Sequence, residues 1–401
     1  MINLSKIQCV GCTACASICT KSVIEMQKND EGFLYPYIKN QDNCIECKRC
    51  ETVCPVYNYK QEEEVEQYGL IAQITDELIR KESASGGMFS AIALSILDEG
   101  GIVYGAAYND NFEVCHVGIS SKDDLWRLRN SKYVQSNLVG VFKEVKAYLL
   151  DGRQVCFSGT PCQIEGLQHY LGRDYENLLL VDVVCHGVSS PLIWEKYLET
   201  IKKYNPKNIY FRWKHYGYKY STMSIFNATN QEIYYAGVES DKMLRAYFTN
   251  NCARETCYDC VFKKRYRISD FTIWDYFQPG IFNKEFDDDK GTTGVLVHSR
   301  KGQHRLKKIC DAGLIRFQEV LPNDLVFGNN EMVASVKKGS CRESLLKDAN
   351  RMSGEQLFNK YFPETWKTKT KKTVRLMLVR LGIYGALKRT VNMYRRNNVR
   401  K

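Results

Sequence analysis

The sequence predicts an α+β fold: a small cysteine-rich module, then an α/β domain whose C-terminal part turns to mixed antiparallel sheet. Three observations carry that prediction. Eight cysteines before residue 55 form two runs, Cys9, Cys12, Cys15, Cys19 and Cys44, Cys47, Cys50, Cys54, related by an offset of 35 residues. Beyond about residue 68, apolar strand-like runs alternate with helical segments, as in strands joined by helices. From about residue 208 the apolar runs follow one another without helices between them, as antiparallel strands do.

At 401 residues the chain is too long for one ordinary domain. The expected division is 1–60 for the cysteine module, 61–68 for an acidic linker, 69–345 for the α/β and mixed domain, and 346–401 for a basic tail. Within the module, VIEM and FLYPYI flank residues 28–32 and read as a hairpin over the cysteines. Four carboxylates crowd 61–67, a composition suited to a linker. Strands are predicted at 68–74, 101–108, 154–160 and 178–187, with helices near 86–99, 138–150 and 190–204. The runs IYFRW, MSIF and EIYYAG then read as antiparallel strands, and GVLVHS at 294–299 as a last strand. A hydrophobic content of 44% with 12% aromatics suffices for a packed core.

The spacing C-x2-C-x2-C-x3-C wraps three thiolates around one face of a cubane while the fourth cysteine reaches a second cluster. On that logic Cys9, Cys12, Cys15 and Cys54 hold one 4Fe-4S cluster, and Cys44, Cys47, Cys50 and Cys19 hold the other, the arrangement of a bacterial-type two-cluster ferredoxin module. Pro55 follows Cys54 as usual, whereas Thr20 follows Cys19. Zinc is the competing metal for paired C-x2-C elements, but two such four-cysteine runs exceed what a four-thiolate zinc site needs. Two clusters in one small module favour an electron relay over a purely structural role. Seventeen cysteines, with no apolar leader in residues 1–8, point to a reducing, cytoplasmic setting in which thiols bind metal rather than form disulfides.

The net charge of +11 invites a nucleic-acid reading, and its distribution opposes one. Residues 365–401 hold 12 Lys/Arg and no Asp/Glu, leaving 45 basic against 46 acidic residues elsewhere. In that tail Val374, Leu376, Met377, Leu378, Leu381, Ile383, Tyr384, Leu387 and Val391 share one broad helical arc, interrupted by Arg380, Lys388 and Arg395 and by Gly382 and Gly385. The apolar stretch is too short to span a bilayer. The expected contact is an anionic membrane surface at the inner face of the cell membrane; a flexible solubilising tail and a docking helix are the alternatives.

Further motifs follow the module: SASGG at 83–87, LRNSKYVQS at 128–136, FSGTPCQ at 157–163, VDVVCHG at 181–187, CYDC at 257–260 and SDFTIWDYF at 269–277. Over about 80–300 these resemble the coenzyme F420 (deazaflavin) hydrogenase/dehydrogenase beta-subunit family. With the ferredoxin module, the resemblance covers about three-quarters of the chain. It implies FAD beside a further 4Fe-4S cluster, with Cys162, Cys185, Cys257 and Cys260 as ligands and Cys252 as competitor for the fourth position. Bacterial relatives of this kind often accompany polysaccharide biosynthesis, which implies a sugar or lipid-linked glycan intermediate as substrate.

Flavin chemistry suits the remaining motifs. Ser85, Gly86 and Gly87 open a predicted helix, where backbone N–H groups can approach a pyrophosphate, although a Gly-Gly pair before a helix is by itself mostly a packing or capping feature. Ser158, Gly159 and Thr160 repeat the arrangement after a strand, with Pro161 in the first helical turn. Lys132 is placed near the flavin or its phosphates, against the plain alternative of a solvated lysine. His186 is a candidate proton donor, with a hydrogen-bonded structural histidine as the more ordinary reading. Trp274 departs from the glycine that relatives commonly carry and should fill space at the cofactor edge. The expected activity is a flavin-dependent iron–sulfur oxidoreductase passing electrons from reduced ferredoxin, or another redox protein, through clusters to FAD and on to an unidentified small molecule. An electron-transfer subunit without its own organic substrate is the alternative, and a cluster protein without flavin a third. No catalytic residue is assigned, and nucleic acid is not an expected partner.

Overall fold

A computed structural model describes residues 8–61, 63–387 and 390. The strands are β1 (Ile24–Lys28), β2 (Leu34–Ile38), β3 (Tyr68–Ile74), β4 (Ile102–Tyr108), β5 (Val114–Ile119), β6 (Val155–Gly159), β7 (Leu178–Val183), β8 (Asn208–Trp213), β9 (Thr222–Phe226), β10 (Glu232–Gly237), β11 (Phe271–Asp275), β12 (Thr293–Val297) and β13 (Ile315–Glu319). The helices that matter below are α1 (Ala14–Ile18), α2 (Met88–Leu97), α3 (Val141–Leu150), α4 (Pro161–Leu171), α5 (Pro191–Ile201), α6 (Lys242–Phe248), α7 (Arg300–Asp311), α8 (Arg342–Ala349), α9 (Gly354–Tyr361) and α10 (Trp366–Arg380).

One mixed sheet of eight strands, ordered β13-β3-β12-β11-β7-β6-β4-β5, organises the body. Its centre, β11-β7-β6-β4, is parallel, and the flanking pairs are antiparallel. Alternation along the central strands explains why both faces are covered. Cys156, Leu179 and Val181 point to one face, packed with Ile92 and Ile96 of α2 and Ile309 of α7. Val155, Phe157, Leu178 and Leu180 point to the other, packed with Phe142 of α3 and Leu167 of α4.

A smaller antiparallel sheet, β10-β9-β8, forms a second core with α5, α6, α8 and α9. Leu346, Ala349, Leu357, Phe358 and Phe362 are buried there. The segment 346–362, assigned to the tail on sequence, is therefore part of the core; its apolar residues recur at helical spacing on two short helices, a signal masked by the charges between them. The strands not anticipated are β5 and β13, the two edges of the large sheet, and β11 beside β7 near its centre, which lies within the motif SDFTIWDYF. β13 exposes Arg316, Phe317 and Glu319, so its sequence lacks a buried alternating face.

The module's hairpin is β1 paired with β2, Ile24 opposite Ile38. Val23 and Ile24 pack among Cys15, Cys54, Cys19, Cys44 and Cys50. The module is docked, not tethered. Arg342 of α8 binds Glu31 through two hydrogen bonds of 2.9 and 2.6 Å, Gln135 accepts from the Leu34 amide at 2.9 Å, and Cys12 lies in the core beneath α3 and α4. The acidic stretch is also held: Gln67 reaches the Arg265 carbonyl and His298, and Tyr266 donates to Glu64.

Candidate metal centres and cofactor cavity

Cys9, Cys12, Cys15 and Cys54 meet in one place. Cys12 is pushed up first by burial and then by the charges of Cys15, Cys9 and Cys54. Cys15 is pushed up to about 12 by burial, then by Cys9 and Cys54. Cys19, Cys44 and Cys50 pack against the same cluster of Cys15, Val23, Ile24 and Cys54, and Cys47 is exposed.

A second meeting point is built from the body of the chain. Burial holds Cys162 well above its usual value, with the charges of Cys260, Cys185 and Cys257 adding to the effect. Cys185 is pushed up to about 12 by burial and then by Cys257, while the Lys263 ammonium opposes the shift. Separate elements bring these thiols together. Cys162 sits in the first turn of α4, begun by Pro161 and fixed by the Thr160 amide donating to Gln163 at 2.9 Å. Cys185 follows the C-terminal end of β7, and Cys257 and Cys260 lie on and just after the short helix Glu255–Asp259. The competitor, Cys252, is elsewhere: burial and a hydrogen bond with Ser189 dominate its surroundings, beside Arg342 and Cys341. Among the described residues no three His, Cys, Asp or Glu side chains converge tightly enough to grip a single ion. The donor chemistry still fits a cluster, since buried thiols that repel one another as thiolates become stable anions only beside strong positive charge.

The two meeting points are joined by α4. Cys162 is in its first turn, and Gly166, one turn on, faces Cys12: a Cβ on Gly166 would stand 2.7 Å from Cys12 Cβ and 2.8 Å from its Sγ. Residues four apart on a helix lie about 5–6 Å apart on one face.

Beside the second set, a cavity of about 1110 Å³ opens at the C-terminal ends of the parallel strands, the position where open α/β sheets take ligands. Ser85, Gly87, Lys132, Ser158, Gly159 and Thr160 all line it. Gly86 does not. A side chain there would meet the Ala72 carbonyl at 2.4 Å and Thr293 N at 2.6 Å, and its amide donates to Thr293 Oγ1 at 3.0 Å; it is glycine so that the turn can press on the sheet. Gly87 starts α2 with φ +88, a conformation glycine adopts freely.

Lys132 hydrogen-bonds the Arg129 carbonyl at 3.0 Å, and burial pulls its ammonium down to about 7. His186 lines the cavity with both ring nitrogens engaged, Nδ1 with Glu331 at 3.0 Å and Nε2 with Asn250 at 2.8 Å. The Trp274 indole fills the place opposite Gly294, its cross-strand partner, where a Cβ would be 2.6 Å from Cε2. Gly294 thus leaves open the space that the Trp274 indole occupies.

Sequence reasoning missed Arg212. It is 8% exposed on β8, salt-bridged to Asp275 at 2.6 Å, and its Nε and Nη2 have no hydrogen-bond partner among the described residues although it lines the cavity. The signal was present: a lone cation inside the alternating run IYFRW. Orphaned buried donors of this kind fit an anionic ligand group.

The tail contributes too. Arg375 of α10 pairs with Glu239 at 2.6 Å, the Tyr384 ring lies 5.5 Å from that of Tyr220, and both Arg375 and Tyr384 line the cavity. Val374, Met377, Leu381, Ile383 and Leu387 remain exposed. Lys388, Val391 and Arg395 lie outside the described residues. No described helix is long and apolar enough to cross a membrane.

Residues 8–58 match a 4Fe-4S dicluster domain. Residues 70–143 and 152–322 match the N-terminal and C-terminal parts of the coenzyme F420 hydrogenase/dehydrogenase beta subunit. Among curated proteins, a subunit of the F(420)H(2) dehydrogenase from Methanosarcina mazei is 26% identical over 50% of this chain and 60% of its own length. A subunit of the ion-translocating oxidoreductase complex from Buchnera aphidicola is 31% identical over 20% of this chain and 18% of its own. The chain thus spans less than two-thirds of the length of either relative. A chain of the F420-reducing NiFe hydrogenase complex from Methanosarcina barkeri is similar at 17% identity and a TM-score of 0.45, covering 75% of this chain and 94% of that one. The cysteine module in front and the two matched segments behind it place this chain in the coenzyme F420 hydrogenase/dehydrogenase beta-subunit family, with a 4Fe-4S dicluster domain.

Proposed function

We propose that this chain is an iron–sulfur flavoprotein oxidoreductase with three 4Fe-4S clusters and one FAD, taking electrons from a ferredoxin-like donor and delivering them to an organic substrate. The observation that carries the reading is the convergence of Cys162, Cys185, Cys257 and Cys260 beside a large cavity and one helical turn from Cys12. Cys9, Cys12, Cys15 and Cys54 would hold one cluster, Cys44, Cys47, Cys50 and Cys19 the second, and the four cysteines of the body the third. Ser85, Gly87, Lys132, Ser158, Gly159 and Thr160 would line the flavin, and the unpartnered donors of Arg212 suit its phosphates or an anionic substrate. When bound, clusters supply one-electron steps and a flavin supplies the pair needed for hydride-level chemistry. The chain's own residues bury the centres, orient them and set the local charge.

Anaerobic purification with iron, sulfide and flavin quantified together is the test. About twelve Fe per chain with about one FAD is expected on four irons per cluster; zinc in place of iron, or the absence of flavin, overturns the reading. A second reading, an electron-transfer subunit with no substrate of its own, is favoured by relatives that are named as subunits of larger complexes. Stoichiometric co-purification with a catalytic partner decides for it.

The exposed apolar side chains of the tail, set among lysines and arginines, suit the headgroup region of an anionic membrane. Flotation with anionic liposomes is expected for the full chain and not for a chain ending at Pro363; equal flotation sinks that contact.

A further inference from the structure

Arg254 is 1% exposed, and its Nη1 and Nη2 have no hydrogen-bond partner among the described residues. Its surroundings explain only part of that burial. The Nε donates to the Cys9 carbonyl at 2.7 Å, and the guanidinium stacks 3.9 Å from the Tyr35 ring centroid. The neighbouring carboxylates Glu31 and Glu255 are bound by Arg342. A desolvated cation without a carboxylate is costly unless other negative charge faces it.

Its position supplies that charge from two sides. Nη1 lies 3.2 Å from where a Cβ on Gly11 would be, in the loop between Cys9 and Cys12. The Arg254 carbonyl accepts from the Cys257 amide at 2.9 Å, and the guanidinium charge acts on the Cys257 thiol. Thr256, two residues on, donates to the same Cys9 carbonyl at 3.0 Å. Arg254 therefore stands between the Cys9 set and the Cys257 set and touches the backbone of both.

We propose that Arg254 is a positioning and redox-tuning residue shared by two clusters, that of Cys9, Cys12, Cys15 and Cys54 and that of Cys162, Cys185, Cys257 and Cys260; this rests on the cluster assignment above. Reduction adds one electron and one negative charge to a cluster, with no bond formed or broken. A fixed cation with free N–H donors favours the reduced form, since net charge and hydrogen bonds to sulfur set the potential of such centres.

The test is an EPR-monitored redox titration of the full chain and of R254M, R254Q and R254K, each with iron quantified. In the neutral variants the two adjacent clusters should be at least tenfold harder to reduce, a midpoint about 59 mV lower per tenfold for one electron. R254K should recover most of the shift, and the cluster of Cys19, Cys44, Cys47 and Cys50 should not move. Iron lost in both neutral variants and kept in R254K also supports the role, because it makes the charge itself the requirement. A loaded neutral variant with unchanged potentials overturns it. About eight Fe in the unaltered chain would instead overturn the third cluster, at four irons per cluster, and leave the Cys9 side to be read from the same titration.

Discussion

Cys257→Ser is expected to lower the iron content of the anaerobically purified chain from about twelve to about eight atoms, at four irons per cluster, while the dicluster module stays loaded. Serine is close to cysteine in size, so the fold should survive; what it lacks is a thiolate for iron. Cys257 lies among Cys162, Cys185 and Cys260, and burial followed by the Cys260 charge raises its thiol while Arg254 and Lys263 oppose the shift. Cys252→Ser is the control. Its side chain faces Ser189 and Cys341 rather than the set, so iron should remain at about twelve under the same arithmetic. The reverse result, with Cys252→Ser losing iron and Cys257→Ser keeping it, would reassign the ligand.

Gly166→Ala is the second large effect expected, and its sign runs against helix propensity. In an open helix the change would stabilise by about 1 kcal/mol. Here the new methyl would collide with Cys12 at 2.7–2.8 Å, and overpacking a tight core costs about 1–3 kcal/mol. Because Cys12 belongs to the Cys9 set, the clash should also appear as iron loss. Urea denaturation and iron quantification together check it, and limited proteolysis within 61–67 should become faster as the module loosens. An alanine variant as stable and as iron-rich as the parent would show that α4 yields at this contact.

The two cysteine runs were legible because cluster ligation is written in local spacing. The central strands β4, β6 and β7 were legible because both their faces are apolar, whereas β11, which carries Thr272 and Asp275, was not; α2 and α4 were legible because their starts are marked by Gly87 and Pro161. The set of Cys162, Cys185, Cys257 and Cys260 was not legible from spacing: nearly a hundred residues separate Cys162 from Cys260, and only resemblance to a family joined them. The roles of Arg212, whose only sign was its place in IYFRW, and of Arg254 were hidden for a different reason. A sequence shows that a residue is charged but not that its donors are buried without partners. For Gly86 the packing and phosphate-binding readings could not be told apart, because glycines in the two roles look alike until the atoms above them are known.

With clusters at the Cys9 and Cys162 sets, as proposed, the span from Cys162 to Gly166 would have a kinetic consequence. Rates of electron tunnelling fall steeply with separation, and a hinged domain would make that separation fluctuate. Here most of the gap is one turn of a capped helix, whose length thermal motion barely alters. The contact of Cys12 on Gly166 and the hydrogen bonds of Arg254 and Thr256 to the Cys9 carbonyl close the rest, so the transfer proposed above would be insulated from motion of the module.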